Sequence, residues 1–90
     1  MEFDFDPAKD VANVAKHGLS LSDAALLDWD KAAVYPDLRR DYGEPRMVAL
    51  VPMNKRVHSV VYVDRDGKRR VISLRRAHFK EVKRYENSQT

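Results

Sequence analysis

The groups in this chain best suited to chemistry on a phosphate are four arginines, Arg46, Arg65, Arg75 and Arg76. A guanidinium contacts a phosphate through two parallel hydrogen bonds and keeps its charge at any relevant pH. Proton transfer would fall to His17, Glu44, His58 or Tyr85, with Lys9 as a base of lowered pKa or a further phosphate ligand. Imidazole titrates near neutrality, so a histidine needs the least tuning. A metal-dependent route finds no support in the residues: His17, His58 and His78 lack ligand-like spacing, no acidic cluster accompanies them, and there is no cysteine.

Each of these residues also has an ordinary structural role open to it. Any of the arginines can be a solvated surface charge. His17 precedes Gly18, where it would cap a helix C-terminus as readily as it would exchange a proton. Glu44 can accept a proton or simply pair with an arginine and orient it. His58 can be a cross-strand packing partner. Tyr85 can stack on a base or sit packed in a core.

The net charge is +3, and its distribution says more than its sum. Residues 1–30 hold seven acidic side chains against two lysines, while residues 65–84 hold nine Lys or Arg against Asp66 and Glu81. If those segments fold apart, the resulting field suits a polyanion such as nucleic acid, or an acidic protein partner; if they fold together, the charges pair. Ninety residues fit one domain, taken as residues 1–90, with a modest core. Glu2, Asp4, Asp6 and Asp10 stand where a signal peptide would be basic and then apolar, and the apolar runs are too short for a membrane span. A cytoplasmic protein without membrane contact is expected.

The elements that must position these groups are readable from pattern. Phe3 and Phe5 alternate with Asp4 and Asp6 as a brief strand. Asp6 then offers an N-cap, Pro7 a first helical residue and Gly18 a stop. Between them Val11, Val14 and Ala15 form an apolar stripe, with Lys9, Asn13 and His17 stepping along the opposite side. A second helix is expected from Ser20 onward, with Trp29 anchoring its end, and "KAAVYPD" reads as an edge strand closed by Pro36.

Strands "RMVALVP", "RVHSVVYVD" and "RRVISL" follow, separated by tight turns at Asn54-Lys55 and Asp66-Gly67. Counting back from Arg65 opposite Lys68 pairs His58 with Arg75 and Val60 with Ser73, which would set His58, Ser73 and Arg75 on one partly open side, with the other side as core. A final helix steps Phe79, Val82 and Tyr85 along one side, with Lys80, Lys83 and Arg84 on the rest. The expected architecture is α+β: two N-terminal helices, an antiparallel sheet of three or four strands and a C-terminal helix.

In this order and spacing the residues resemble the BrnT family of type II toxins, small ribonucleases of RelE-like fold, over nearly the whole chain. The resemblance is carried by Phe3, Phe5 and Asp6; by Lys9, Asn13, Lys16, His17 and Gly18; by Gly43, Glu44 and Arg46; by Arg65; by Ile72, Ser73, Arg75 and Ala77; and by Glu81 with Tyr85. Phe5 stands where Trp is commoner, Leu74 replaces a usual Ala, and Val51-Pro52 fills a place where Gly is common.

The resemblance implies cleavage of RNA that inhibits translation, and neutralisation by a BrnA-like antitoxin in a 2:2 complex, with DNA reached only indirectly through that antitoxin. RNA supplies its own nucleophile, the 2′-hydroxyl, so the protein needs only to position the strand, move protons and stabilise charge on the phosphate. Neither a cofactor nor a metal is needed. The expected catalytic set is Lys9, His17, Glu44, Arg46, Arg65 and Arg75. A basic groove between the sheet and the last helix would bring Arg76, Lys80, Lys83, Arg84 and Tyr85 to the RNA. The rival expectation is a non-catalytic module that binds RNA or a protein through the same arginines.

Overall fold

In the computed structural model, which describes residues 1–89, the N-terminal signals act as read. The Asp6 carboxylate accepts a hydrogen bond from the Ala8 N–H at 2.9 Å, Pro7 opens helix α1 (Pro7–His17), and Gly18 closes it at φ +71°. Ahead of it lies a short strand, β1 (Glu2–Asp4). Ser20 caps the next segment, but this is a six-residue 3-10 helix (Leu21–Leu26), followed by a second 3-10 turn (Trp29–Lys31), so the second N-terminal α-helix does not form. Leu21, Ala24 and Leu27 all reach the core from it, a spacing of three that suits 3-10 geometry.

Four more strands follow: β2 (Ala33–Pro36), β3 (Met47–Met53), β4 (Arg56–Arg65) and β5 (Lys68–Arg76), then helix α2 (Phe79–Ser88). The sheet thus has five strands in the order β1-β5-β4-β3-β2, and it is mixed because β1 runs parallel to β5. The expected three or four antiparallel strands omitted that added edge. Asn54 and Lys55, then Asp66 and Gly67, take positive φ at both central turn positions, as two-residue hairpins require.

Pairing of β4 with β5 holds the expected count from Arg65 opposite Lys68 to Tyr62 opposite Val71, and then slips by one. Ile72 is the extra residue of a bulge. Beyond it Val60 faces Leu74, Ser59 faces Arg75 and His58 faces Arg76. The reason lies in spacing: Val71 and Leu74 are three apart, so strict alternation would send them to opposite faces. With the bulge both are fully buried on one face, beside Val60 and Tyr62. The expected grouping of His58, Ser73 and Arg75 is therefore wrong, and the side holding His58 is the core side.

Helix α1 departs from its expected orientation. Asn13 is its buried residue, while Val11 and Val14 are 72% and 46% exposed. The Asn13 amide donates to the Leu74 carbonyl at 2.8 Å and its oxygen accepts the Leu74 N–H at 3.1 Å. Since β1 pairs only with residues 68–70, that stretch of β5 edge would otherwise lack partners, and one side-chain amide substitutes for a neighbouring strand. A buried peptide group outweighs the modest burial that two valines would have gained.

Part of the basic character of β5 is neutralised by the N-terminal acids. Lys68 pairs with Glu2 at 3.8 Å and Arg70 with Asp4 at 3.3 Å, so the two oppositely charged segments do fold together. Arg69 grips Asp64 through two bonds of 2.8 and 2.9 Å and lies over both Trp29 and Tyr62. Trp29 in turn donates to the Ala24 carbonyl and stacks on Phe3, which ties β1 and the 3-10 segment to the sheet.

Candidate active site

The face of the sheet opposite the core presents Val48 and Leu50 from β3, Ser59, Val61 and Val63 from β4, and Ser73 and Arg75 from β5. Strand alternation sets Arg65 on this face too, and Arg46, just ahead of β3, is in phase with Val48. Helix α2 lies across one end and the loop of residues 37–46 along one side. The three arginines thus share a face.

Arg75 is held in a fork. Its guanidinium donates to both oxygens of Glu81, at 2.8 and 3.0 Å, and the same carboxylate accepts the His78 N–H at 2.8 Å. This is why α2 begins where it does: Glu81, the third residue of the helix, folds back onto the backbone of His78 just before it. Burial pushes the Glu81 carboxyl up, but the Arg75 and His78 bonds outweigh it and hold the group below its ordinary range. Glu81 is therefore a fixed anion that aims Arg75.

The Arg75–Glu81 pair forms one wall of a cleft of about 170 Å³, with Tyr35, Asp37, Arg39, Val48 and Ser59 completing it. Asp37, whose side chain is 1% exposed, is gripped by Arg39 at 2.8 and 2.7 Å and also accepts from the Tyr42 hydroxyl. These bonds, Arg39 foremost, hold its pKa down to about 2 against the penalty of burial. Residues Tyr35, Asp37, Arg39, Ser59 and His78 were not anticipated as site residues. The signal in the sequence was Asp37 with Arg39 two residues on in a polar loop, a pattern too common to stand out.

A second acid–base pair joins the loop to β4: Arg65 donates to Glu44 at 2.8 Å. Arg46 joins neither pair, its guanidinium lying over the Tyr42 ring at 4.0 Å from the centroid. His17, at the end of α1, feels both Arg75 and His78. Desolvation, followed by Lys16, Arg75 and His78, lowers its pKa below the ordinary histidine value, which leaves the ring neutral at pH 7 and able to accept a proton. Lys9 occupies the same row of α1 two turns earlier, about 12 Å along the axis from His17.

The remaining candidates scatter. Arg76 sits opposite His58, on the other face from Arg75. His58 is buried, its Nδ1 3.0 Å from the Arg56 carbonyl, and burial first of all depresses its pKa, so it packs in the core as a neutral ring. Phe79 is 75% exposed rather than packed. Lys80 is exposed, Lys83 pairs with Glu86 at 3.8 Å, Arg84 lies 3.6 Å over the Tyr35 ring, and the Tyr85 hydroxyl donates to the Lys31 carbonyl at 2.8 Å. Arg84 and Tyr85 thus fasten α2 to the β2 side of the molecule.

A family model described as the ribonuclease toxin BrnT of type II toxin–antitoxin systems matches residues 5–81. This chain belongs to the BrnT family. Comparison with curated proteins yields no match. The span shared with the BrnT model contains Lys9, His17, the Glu44–Arg65 pair, Arg46 and the Arg75–Glu81 pair, and it stops before Lys83, Arg84 and Tyr85. Membership in this family of ribonuclease toxins brings with it an RNA substrate and an antitoxin partner. No helix among the described residues is long and apolar enough to cross a membrane.

Proposed function

We propose that this chain is a metal-independent endoribonuclease of RelE-like kinship that cuts RNA through its own 2′-hydroxyl, inhibits translation, and is neutralised in the cytoplasm by a BrnA-like antitoxin in a 2:2 complex. The observation that carries the reading is the arrangement of Arg75: a guanidinium locked by Glu81 at the wall of a cleft. A clamped guanidinium stabilises charge on a phosphate without having to reorganise as that charge develops.

In this scheme the 2′-oxygen attacks phosphorus while its proton passes to an acceptor. The bond from phosphorus to the 5′-oxygen breaks, and that oxygen takes a proton, leaving a 2′,3′-cyclic phosphate and a 5′-hydroxyl. Arg75 contacts the scissile phosphate and Glu81 positions it. His17 serves proton transfer at that phosphate, while Glu44 orients Arg65 six residues along β4, and Arg46 and Lys9 contact phosphates on either side. Lys80 and Lys83, both exposed on α2, meet the strand farther out, whereas Arg76 lies on the opposite face and Arg84 and Tyr85 are engaged in fastening α2. Incubation with single-stranded RNA in EDTA, with analysis of the ends, tests the reading. Cyclic-phosphate ends from wild type, lost in Arg75→Ala, are expected; tight binding without scission would leave a non-catalytic RNA-binding module.

A further inference from the structure

The loop of residues 37–46 carries a recess of which only Arg46 has so far been given a role. Arg39, Arg40, Tyr42 and Arg46 line it, and its volume is about 440 Å³. Its lining is three guanidiniums and one phenol ring, with no carboxylate among them. Arg39 already answers to Asp37, but Arg40 is exposed and makes no ion pair among the described residues, and the Nε of Arg46 is enclosed without a hydrogen-bond partner. Arg46 and Tyr42 stack, so the recess contains a planar surface as well as positive charge. It also adjoins the Arg75 cleft, because Arg39 lines both.

We propose that this recess is a subsite for a nucleotide flanking the scissile phosphate. Arg40 and Arg46 take the non-bridging oxygens of the neighbouring phosphodiester, and the Arg46–Tyr42 stack receives its base. Guanidiniums beside an aromatic ring are the combination that single strands use: charge follows the backbone while a flat surface accepts any base. An acidic peptide would use the charge and leave the flat surface idle. The inference rests on the ribonuclease reading and adds to it a requirement for length. A dinucleotide fills the cleft alone, whereas a longer strand reaches both sites.

The test is binding of a labelled 2′-O-methyl RNA hexamer, which cannot be cut, across a range of KCl, together with cleavage of a dinucleotide and of an unmodified hexamer. Arg40→Ala is expected to lower the logarithmic salt slope of hexamer binding by about 0.7, the loss of one phosphate contact on a single strand. Tyr42→Leu is expected to weaken hexamer binding by about tenfold through lost stacking. Arg40→Ala should cleave the dinucleotide at the wild-type rate and the hexamer with a raised KM. Arg40 makes no ion pair among the described residues, so its variant remains informative even if Tyr42→Leu is poorly folded. Unchanged slope and affinity in Arg40→Ala would overturn the proposal, as would hexamer binding intact alongside lost capture of the antitoxin. Wild-type protein that cuts no RNA yet shows the binding differences removes the nuclease reading and keeps the subsite.

Discussion

The two halves of β5 have nearly the same composition and opposite uses. Before the bulge, Lys68, Arg69 and Arg70 are each matched by a carboxylate from a neighbouring strand, Glu2, Asp64 and Asp4. After it, Arg75 is matched by Glu81 of α2 at the wall of a cleft, and Arg76 has no ion pair among the described residues. The lesson is that a run of arginines is not one feature. Register decides which of them hold the sheet together and which line the cleft.

Inserting an alanine between Val61 and Tyr62, to give Ile72 a partner, should break the comparison most completely. It restores strict alternation, so Val71 and Leu74 can no longer both face the core. A loss of about 3 kcal/mol or more is expected, because one large buried side chain turns to solvent. Urea denaturation measures this, and cleavage should vanish with it as Arg75 crosses to the other face. Unchanged stability would mean that the bulge is incidental.

Substituting the arginines one at a time sharpens the contrast without disturbing the backbone. Arg75→Ala should lower kcat/KM for RNA by about 100-fold, the usual scale for removing one group that stabilises developing charge. Arg70→Ala should leave cleavage unchanged and cost under about 1 kcal/mol, since its pair with Asp4 is partly exposed. Equal loss from the two would erase the distinction between the halves. Asn13→Ala should cost about 2 kcal/mol by denaturant titration, because the Leu74 N–H and carbonyl at the bulge would lose their partners in a buried setting.

The smallest effect is on pH dependence. Because His17 is held below its ordinary pKa of 6.5, it stays neutral down to lower pH than a free imidazole. If it accepts the proton, activity falls only as the pH drops through that lowered pKa. The acidic limb of the pH–rate profile should then lie below 6.5 in wild type and move up in Arg75→Gln, where one of the repelling charges is gone. An acidic limb that ignores this substitution would remove His17 from the reaction.

Much of the frame was legible without coordinates. Asp6-Pro7, Gly18, Asn54-Lys55 and Asp66-Gly67 act through their own backbone preferences, so the ends of α1 and both hairpin turns follow from local chemistry. The brief first strand and the edge strand closed by Pro36 were legible for the same reason. Of the site, the arginines could be named from residue type and from the resemblance to a family, but not sorted.

Three things only the tertiary structure decided. The bulge depends on which apolar side chains must share one core, which alternation along a single strand does not reveal. The face that α1 buries is set by an unpaired peptide group on β5, sixty-one residues from Asn13 in the chain. The Arg75–Glu81 clamp requires α2 to fold back over the sheet. In sequence, therefore, each residue declares what it can do nearby, while unmet hydrogen bonds and packing across the whole chain determine which of those capacities is used.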